Sequence, residues 1–115
     1  DATGDHQWIH VDVERAKAGP YGAPIAHGFL TLSLLPELTA TAMVIDDVKM
    51  SINYGLNRVR FTGPVPAGSR VRAVITLRGY DLIDGGAQMT TEVTIEREGA
   101  PKPVCVAEAV SRRFT

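Results

Sequence analysis

The hydrophobic rhythm of the chain changes once, near residue 47. Between 25 and 43, "IAHGFLTLSLLPELTATAM" has apolar residues at 25, 29, 30, 32, 34, 35, 38, 42 and 43, a helical spacing that wraps most of the way round the axis. This predicts one long buried helix, with Pro36 as an awkward point because it lacks a backbone donor and favours a kink. After 47 the period falls to two. "VKMSINYG" (48–55) and "NRVRF" (57–61) read as strand-like. Residues 69–82 alternate Val71, Ala73, Ile75 and Leu77 against Arg70, Arg72, Val74 and Thr76. Residues 87–98 and 103–114 give two more long strands, and "IDGG" (83–86) and "EGAPK" (98–102) carry turn chemistry, so the last three strands are expected as a meander.

Upstream, residues 1–10 read as loop. "DVERAKAG" (12–19) predicts a short helix with Asp12 as N-cap and Gly19 as stop, and "GPYGAP" (19–24) a turn-rich connector. A long helix followed by a sheet with one apolar face predicts an α+β fold, an antiparallel sheet wrapped around the helix. The 115 residues suit a single domain, 1–115, with no repeat, linker or low-complexity segment.

Composition narrows the function classes. Twelve basic and thirteen acidic residues leave a formal net charge of −1, so nothing argues for nucleic acid as a partner. These residues contain no membrane-length apolar run, and neither a leader nor a membrane partner is expected. Cys105 stands alone, which makes a reducing compartment, the cytoplasm, the expected location, with Cys105 as a small apolar strand residue.

The chemistry concentrates in "TGDHQWIHVD" (3–12), where Asp5, His6 and His10 share one stretch too polar for a core strand. Read from residues alone, Asp5 is as readily a loop cap and His10 a hydrogen-bonded structural histidine as a proton-transfer pair. The spacing matches no closed metal site, no thiolate is near, and no metal is expected.

Two ordered motifs add to this. Gly4-Asp5-His6-Gln7-Trp8-Ile9-His10 and Pro24-Ile25-Ala26-His27-Gly28, continued by "INYGLNRVRFTGPVPAGSRVRA", resemble the MaoC-like, (R)-specific enoyl-CoA hydratase family over nearly the whole chain. The family pattern runs Gly-Asp-x-Asn-Pro-(Ile/Leu/Val)-His. Gln7 stands where asparagine is usual and Trp8 where proline is usual. The resemblance implies a hot-dog fold, a sheet curled around a central helix. Family members usually carry a strand and the start of a helix before the first motif, so the chain is expected to lack N-terminal residues of the usual domain.

The implied reaction is the reversible hydration of trans-2-enoyl-CoA to (R)-3-hydroxyacyl-CoA, with no cofactor because the coenzyme A thioester itself activates the substrate. The resemblance makes Asp5 the general base, His10 its partner on the same water, and the Gly28 N–H the holder of the thioester carbonyl. His27, Asn53 and Trp8 are candidate substrate contacts. For each a plainer role stands beside it: a backbone hydrogen bond for His27, a strand-end turn for Asn53, packing under the loop for Trp8. Arg58, Arg60, Arg70 and Arg72 either meet coenzyme A phosphates or form a solvated sheet face. Alternatives are a 3-hydroxyacyl-carrier-protein dehydratase, a hot-dog thioester hydrolase and a non-catalytic acyl-binding subunit. A homodimer or higher homo-oligomer is expected, because an open sheet edge gains by pairing.

Overall fold

The computed structural model describes residues 1–115. Four short helices, α1 (Trp8–Val11), α2 (Val13–Lys17), α3 (Gly28–Ser33) and α4 (Leu35–Ala42), precede four long strands, β1 (Met50–Phe61), β2 (Val71–Ile83), β3 (Gly86–Arg97) and β4 (Cys105–Phe114). The strands form one antiparallel sheet in the order β1-β4-β3-β2. The expected meander of β2, β3 and β4 is present, and β1 returns to pair with β4 at the sheet's edge.

The period-two residues point where the alternation places them. Met89, Val93 and Ile95 of β3 and Cys105 and Ala107 of β4 are buried on one face. Leu35 of α4 joins Val93, Ile95, Val104, Cys105 and Ala107 in the core, with Leu32, Leu38, Val71, Ala73 and Ile75 packed around it. The helical pair thus covers the middle of the sheet, and a sheet with one apolar face is satisfied by that layer.

Four expectations change. The single long helix is two. Ile25 pairs with Pro66 in an isolated bridge, its N–H donates to Ile9, and Ala26 donates to Val65, so these backbones are committed outside a helix and α3 starts at Gly28. Pro36 has no N–H for Leu32. The chain turns at Leu34, whose N–H bonds Thr31 at 3.2 Å, and Pro36 falls in the first turn of α4, where no donor is needed. The helix is also not buried all round: Phe29 is 77% and Leu30 54% exposed. The loop 1–10 contains a helical turn, α1, and the two strand pieces 48–55 and 57–61 are one strand with register shifts between Asn53 and Gly55 and between Leu56 and Arg58.

Both edge strands leave apolar residues in solvent, Val74, Leu77, Tyr80 and Leu82 on β2 and a run of residues on β1. Met50, Ile52, Tyr54, Leu56 and Phe61 are each 41–57% exposed. The radius of gyration, 16.4 Å, exceeds the roughly 13 Å of a compact chain of this length. No helix is long and apolar enough to cross a membrane.

Candidate active site

The polar stretch 3–12 folds back on itself before it reaches the helices. Gly4 has φ 75°, a left-handed conformation that side chains resist, and it aims Asp5 away from the incoming chain. Asp5 Oδ1 then accepts the Gln7 N–H at 3.2 Å, a local turn that fixes the carboxylate. The donor is main chain, so glutamine serves there as asparagine would. Trp8 is the first residue of α1, where an N–H is not needed. Proline is favoured at that position for the same reason, and a tryptophan in its place costs the turn nothing. His10 follows two residues later on α1, and Asp12 caps α2 by accepting the Arg15 N–H at 3.0 Å.

The second motif meets the first. His10 Nδ1 lies 2.8 Å from the Ile25 carbonyl, and His27 Nε2 lies 2.9 Å from the Asp5 carbonyl. Carbonyls only accept, so each of these nitrogens carries the proton. When the rings are neutral, this tautomer leaves a lone pair on Nε2 of His10 and on Nδ1 of His27. The two imidazoles stack, centroids 3.8 Å apart and planes 22° from parallel. A carboxylate oxygen of Asp5 and one ring nitrogen each of His10 and His27 lie within 4.8 Å of one another. Asp5 Oδ2 is 4.0 Å from His27 Nε2, with the Asp5 side chain 54% and the His27 side chain 28% exposed. The cluster is open enough for solvent and held on one side by backbone carbonyls.

His27 is also the N-cap of α3. The first helical hydrogen bond runs from Thr31 N–H to His27 O at 3.1 Å, so the amides of Gly28, Phe29 and Leu30 precede it and point off the helix start. A Cβ on Gly28 would lie 3.0 Å from the Phe61 ring, so the ring would have to give way by a few tenths of an ångström for any larger residue.

The remaining expected residues scatter. Trp8 packs on the connector: its ring would lie 2.9 Å from a Cβ on Gly19, and the Arg15 guanidinium sits 4.5 Å above it. His6 is exposed. Asn53 lines a groove of 780 Å³ between the helices and the sheet, together with Leu32, Leu35, Met43, Leu56 and Val93. Asp5, His10 and Gly28 do not line it. Leu32 lies four residues beyond Gly28, about 6 Å along the helix, and connects the two regions. Arg70 and Arg72 are each paired with a carboxylate, Glu98 at 3.6 Å and Glu96 at 2.9 Å.

Three ligand-type side chains in one cluster raise the question of a metal. An imidazole binds a metal along its in-plane lone pair, at about 2 Å. Rings stacked 3.8 Å apart and 22° from parallel do not aim two such lone pairs at a common point that close. The arrangement suits proton handling: a carboxylate, one imidazole with a free acceptor, and a second imidazole that holds both in place. Cys105 takes no part. It is fully buried in the core, and desolvation pushes its thiol above the ordinary value.

Sequence reasoning did not reach two residues that the fold makes important. Phe61 lies beneath Gly28, and the Ile25 carbonyl orients His10. Both residues stand inside the quoted motifs, but their contacts are made across the fold and were not read from them.

The chain is similar to known proteins along most of its length. The model of the MaoC-like domain matches residues 1–99. The 3-hydroxyacyl-thioester dehydratase Z of Mycobacterium tuberculosis is 60% identical over 113 residues, covering 97% of this chain and 75% of that protein. Nodulation protein N of Rhizobium leguminosarum bv. viciae is 46% identical over 114 residues, covering 96% of this chain and 71% of that protein. Among solved structures, the (R)-hydratase from A. caviae involved in PHA biosynthesis superposes with a TM-score of 0.76 at 26% identity, over 96% of this chain and 78% of that one. With a polar first motif that closes on the start of α3, and relatives of this kind along almost its whole length, the chain belongs to the MaoC-like dehydratase family and has its hot-dog fold.

Proposed function

We propose that the chain catalyses the reversible hydration of trans-2-enoyl-CoA to (R)-3-hydroxyacyl-CoA. The observation that carries the reading is the meeting of the Asp5 carboxylate with an imidazole, His10, whose Nδ1 is tied to Ile25 O and whose Nε2 is left as an acceptor. A water between them has an acceptor for each of its protons. In the hydration direction Asp5 takes one proton as the water oxygen bonds to C3. The C2=C3 π electrons move toward the thioester, whose oxygen gains negative charge. The N–H of Gly28, at the start of α3, donates to that oxygen. The proton held by Asp5 is then delivered to C2, and His10 keeps the water oriented throughout. Dehydration runs the same steps backwards. The reaction needs no dissociable cofactor and no metal.

The names of the relatives support the substrate class: one is a 3-hydroxyacyl-thioester dehydratase and one an (R)-hydratase. The acyl chain is assigned to the groove that Leu32, Asn53 and Leu56 line. The 41–57% exposure of apolar β1 residues supports a homodimer or higher homo-oligomer, with a second copy over β1. The lone buried cysteine supports a reducing, cytoplasmic setting. The test is loss of the conjugated absorbance of crotonyl-CoA on adding the protein, with Asp5→Asn as control. Loss in the wild type alone is the expected result. Equal rates in both proteins would overturn the assignment of Asp5.

A further inference from the structure

A second groove, of 560 Å³, lies outside the catalytic cluster, where the loop from Gly99 to Pro103 folds over the end of β2 and β3. Six charged residues line it: Arg70, Arg72, Arg97 and Lys102 against Glu96 and Glu98. Two of the cations are already answered. Arg72 Nε is 2.9 Å from Glu96 and Arg70 3.6 Å from Glu98. Arg97 and Lys102 form no ion pair, and the groove keeps two positive charges in excess.

Arg97 is the unusual member. It pairs with Val71, two residues beyond Ile95 in a regular register, so its side chain starts on the apolar face that holds Ile95 and Val93. Its Nε is closed off from solvent and has no hydrogen-bond partner. Buried donors are nearly always paired. The guanidinium of Arg97 lines the groove, and a guanidinium with a donor unanswered by protein fits the oxygens of a phosphate. Lys102, exposed on the loop, adds a mobile point charge beside it.

The groove also opens at the correct end of the sheet. Pro103 on its rim accepts the Thr62 hydroxyl at 2.6 Å, and the preceding residue, Phe61, is the ring against which Gly28 is packed.

We infer that Arg97 and Lys102 form an anion site for a phosphate ester on the pantetheine arm of the acyl carrier. The inference rests on the thioester reading above and specifies what lies beyond the sulfur. It separates the groove's cations by role: Arg70 and Arg72 brace β2 to β3 and its turn, while Arg97 and Lys102 remain for the ligand.

Titration calorimetry of the full chain with coenzyme A, 4′-phosphopantetheine and pantetheine tests it, in the wild type, Arg97→Gln and Lys102→Ala. The wild type is expected to bind coenzyme A at least tenfold more tightly than pantetheine. Each substitution is expected to shrink that ratio three- to tenfold, and 0.5 M salt to shrink it further. A preference kept by 4′-phosphopantetheine places the recognised phosphate on the arm that carrier proteins share. A preference for coenzyme A alone would place it on the nucleotide and overturn the assignment to the arm. No binding of coenzyme A, equal affinity for coenzyme A and pantetheine, or a ratio unmoved by either substitution overturns the site. Lys102→Ala alters only an exposed loop residue, so the result stays readable if Arg97→Gln misfolds. Coenzyme A binding that responds to the substitutions, without crotonyl-CoA hydration, would keep the site and overturn the reaction. Hydration with a binding ratio blind to both would do the opposite.

Discussion

The imidazole of His27 lies flat against that of His10, centroids 3.8 Å apart, while its Nε2 donates to the Asp5 carbonyl. One side chain therefore touches both members of the proposed proton-transfer pair. This makes His27 a positioning residue, and its two contacts can be separated. His27→Phe keeps a ring for the stack and loses the hydrogen bond. A net hydrogen bond is worth about 1 kcal/mol, so turnover is expected to fall roughly fivefold. His27→Ala loses both contacts and is expected to fall several times further. Steady-state kinetics on crotonyl-CoA should show the loss in kcat more than in KM. Equal, near-wild-type turnover in the two variants would mean that the stack positions nothing.

The pair itself gives a larger effect. Asp5→Asn keeps the shape of the side chain and its turn with Gln7 but removes the base. His10→Gln keeps a polar group but not the imidazole acceptor. Each is expected to lower turnover by a factor of at least about a hundred, the usual scale for positioned proton transfer. The double variant should lose little more than the worse single one, since the two act on one water. Near-normal rates in both single variants would sink the dyad.

How far these features were legible in the sequence depended on the range of the contact. Alternation along 69–82, 87–98 and 103–114 located three strands, because each position's face is decided by its immediate neighbours. Asp12 was legible as a cap for the same reason: its partner, Arg15, is three residues away. The long helix was not, because Ile25 and Ala26 match a helical pattern while their backbones are taken by Ile9, Val65 and Pro66. In the site, the motifs pointed to Asp5, His10 and Gly28. The hold of His27 on Asp5 spans 22 residues and exists only once the two loops meet. Phe61 under Gly28 is a contact of the same tertiary kind.

Gly28→Ala probes the start of α3 in a way that separates packing from chemistry. The new Cβ would meet three carbons of the Phe61 ring at 3.0–3.1 Å. Overpacking of this kind costs about 1–3 kcal/mol, and urea midpoints should show it. Adding Phe61→Leu removes the ring and should return most of the stability. Turnover should stay low in the double variant if the methyl also crowds the thioester oxygen away from the amide. Recovery of both stability and turnover would show that Gly28 is required only for packing.

Cys105 offers a prediction in pH. Burial raises its folded-state thiol above the ordinary value. The unfolded chain loses that proton near pH 8.5 and the folded chain at higher pH, so above about 8.5 the unfolded state binds fewer protons. Stability held below that point is then lost as pH rises toward the folded value, by at most about 1.4 kcal/mol per pH unit. Urea unfolding between pH 7 and 9.5 should show this decline in the wild type and a weaker one in Cys105→Ala. Iodoacetamide should label the native thiol only as fast as the core opens. Rapid labelling of folded protein would contradict the buried placement.

The last prediction concerns β1. Its outer edge lacks a strand partner, since β1 ends the order β1-β4-β3-β2, and it runs for twelve residues. Along it Met50, Ile52, Tyr54 and Leu56 remain 41–57% exposed. A long edge strand with apolar side chains attracts another chain unless something covers it. A second copy placed there also closes the side of the groove that Ser51, Asn53 and Leu56 line, which links assembly to the acyl site. Light scattering at micromolar concentration should give at least twice the chain mass. Ile52→Lys, which puts a charge near the start of the strand, should shift the mass toward one chain and raise KM for longer enoyl chains more than for crotonyl-CoA. A strictly monomeric wild type would remove the second copy from the proposal. A monomeric but fully active Ile52→Lys variant would show that the groove works without one.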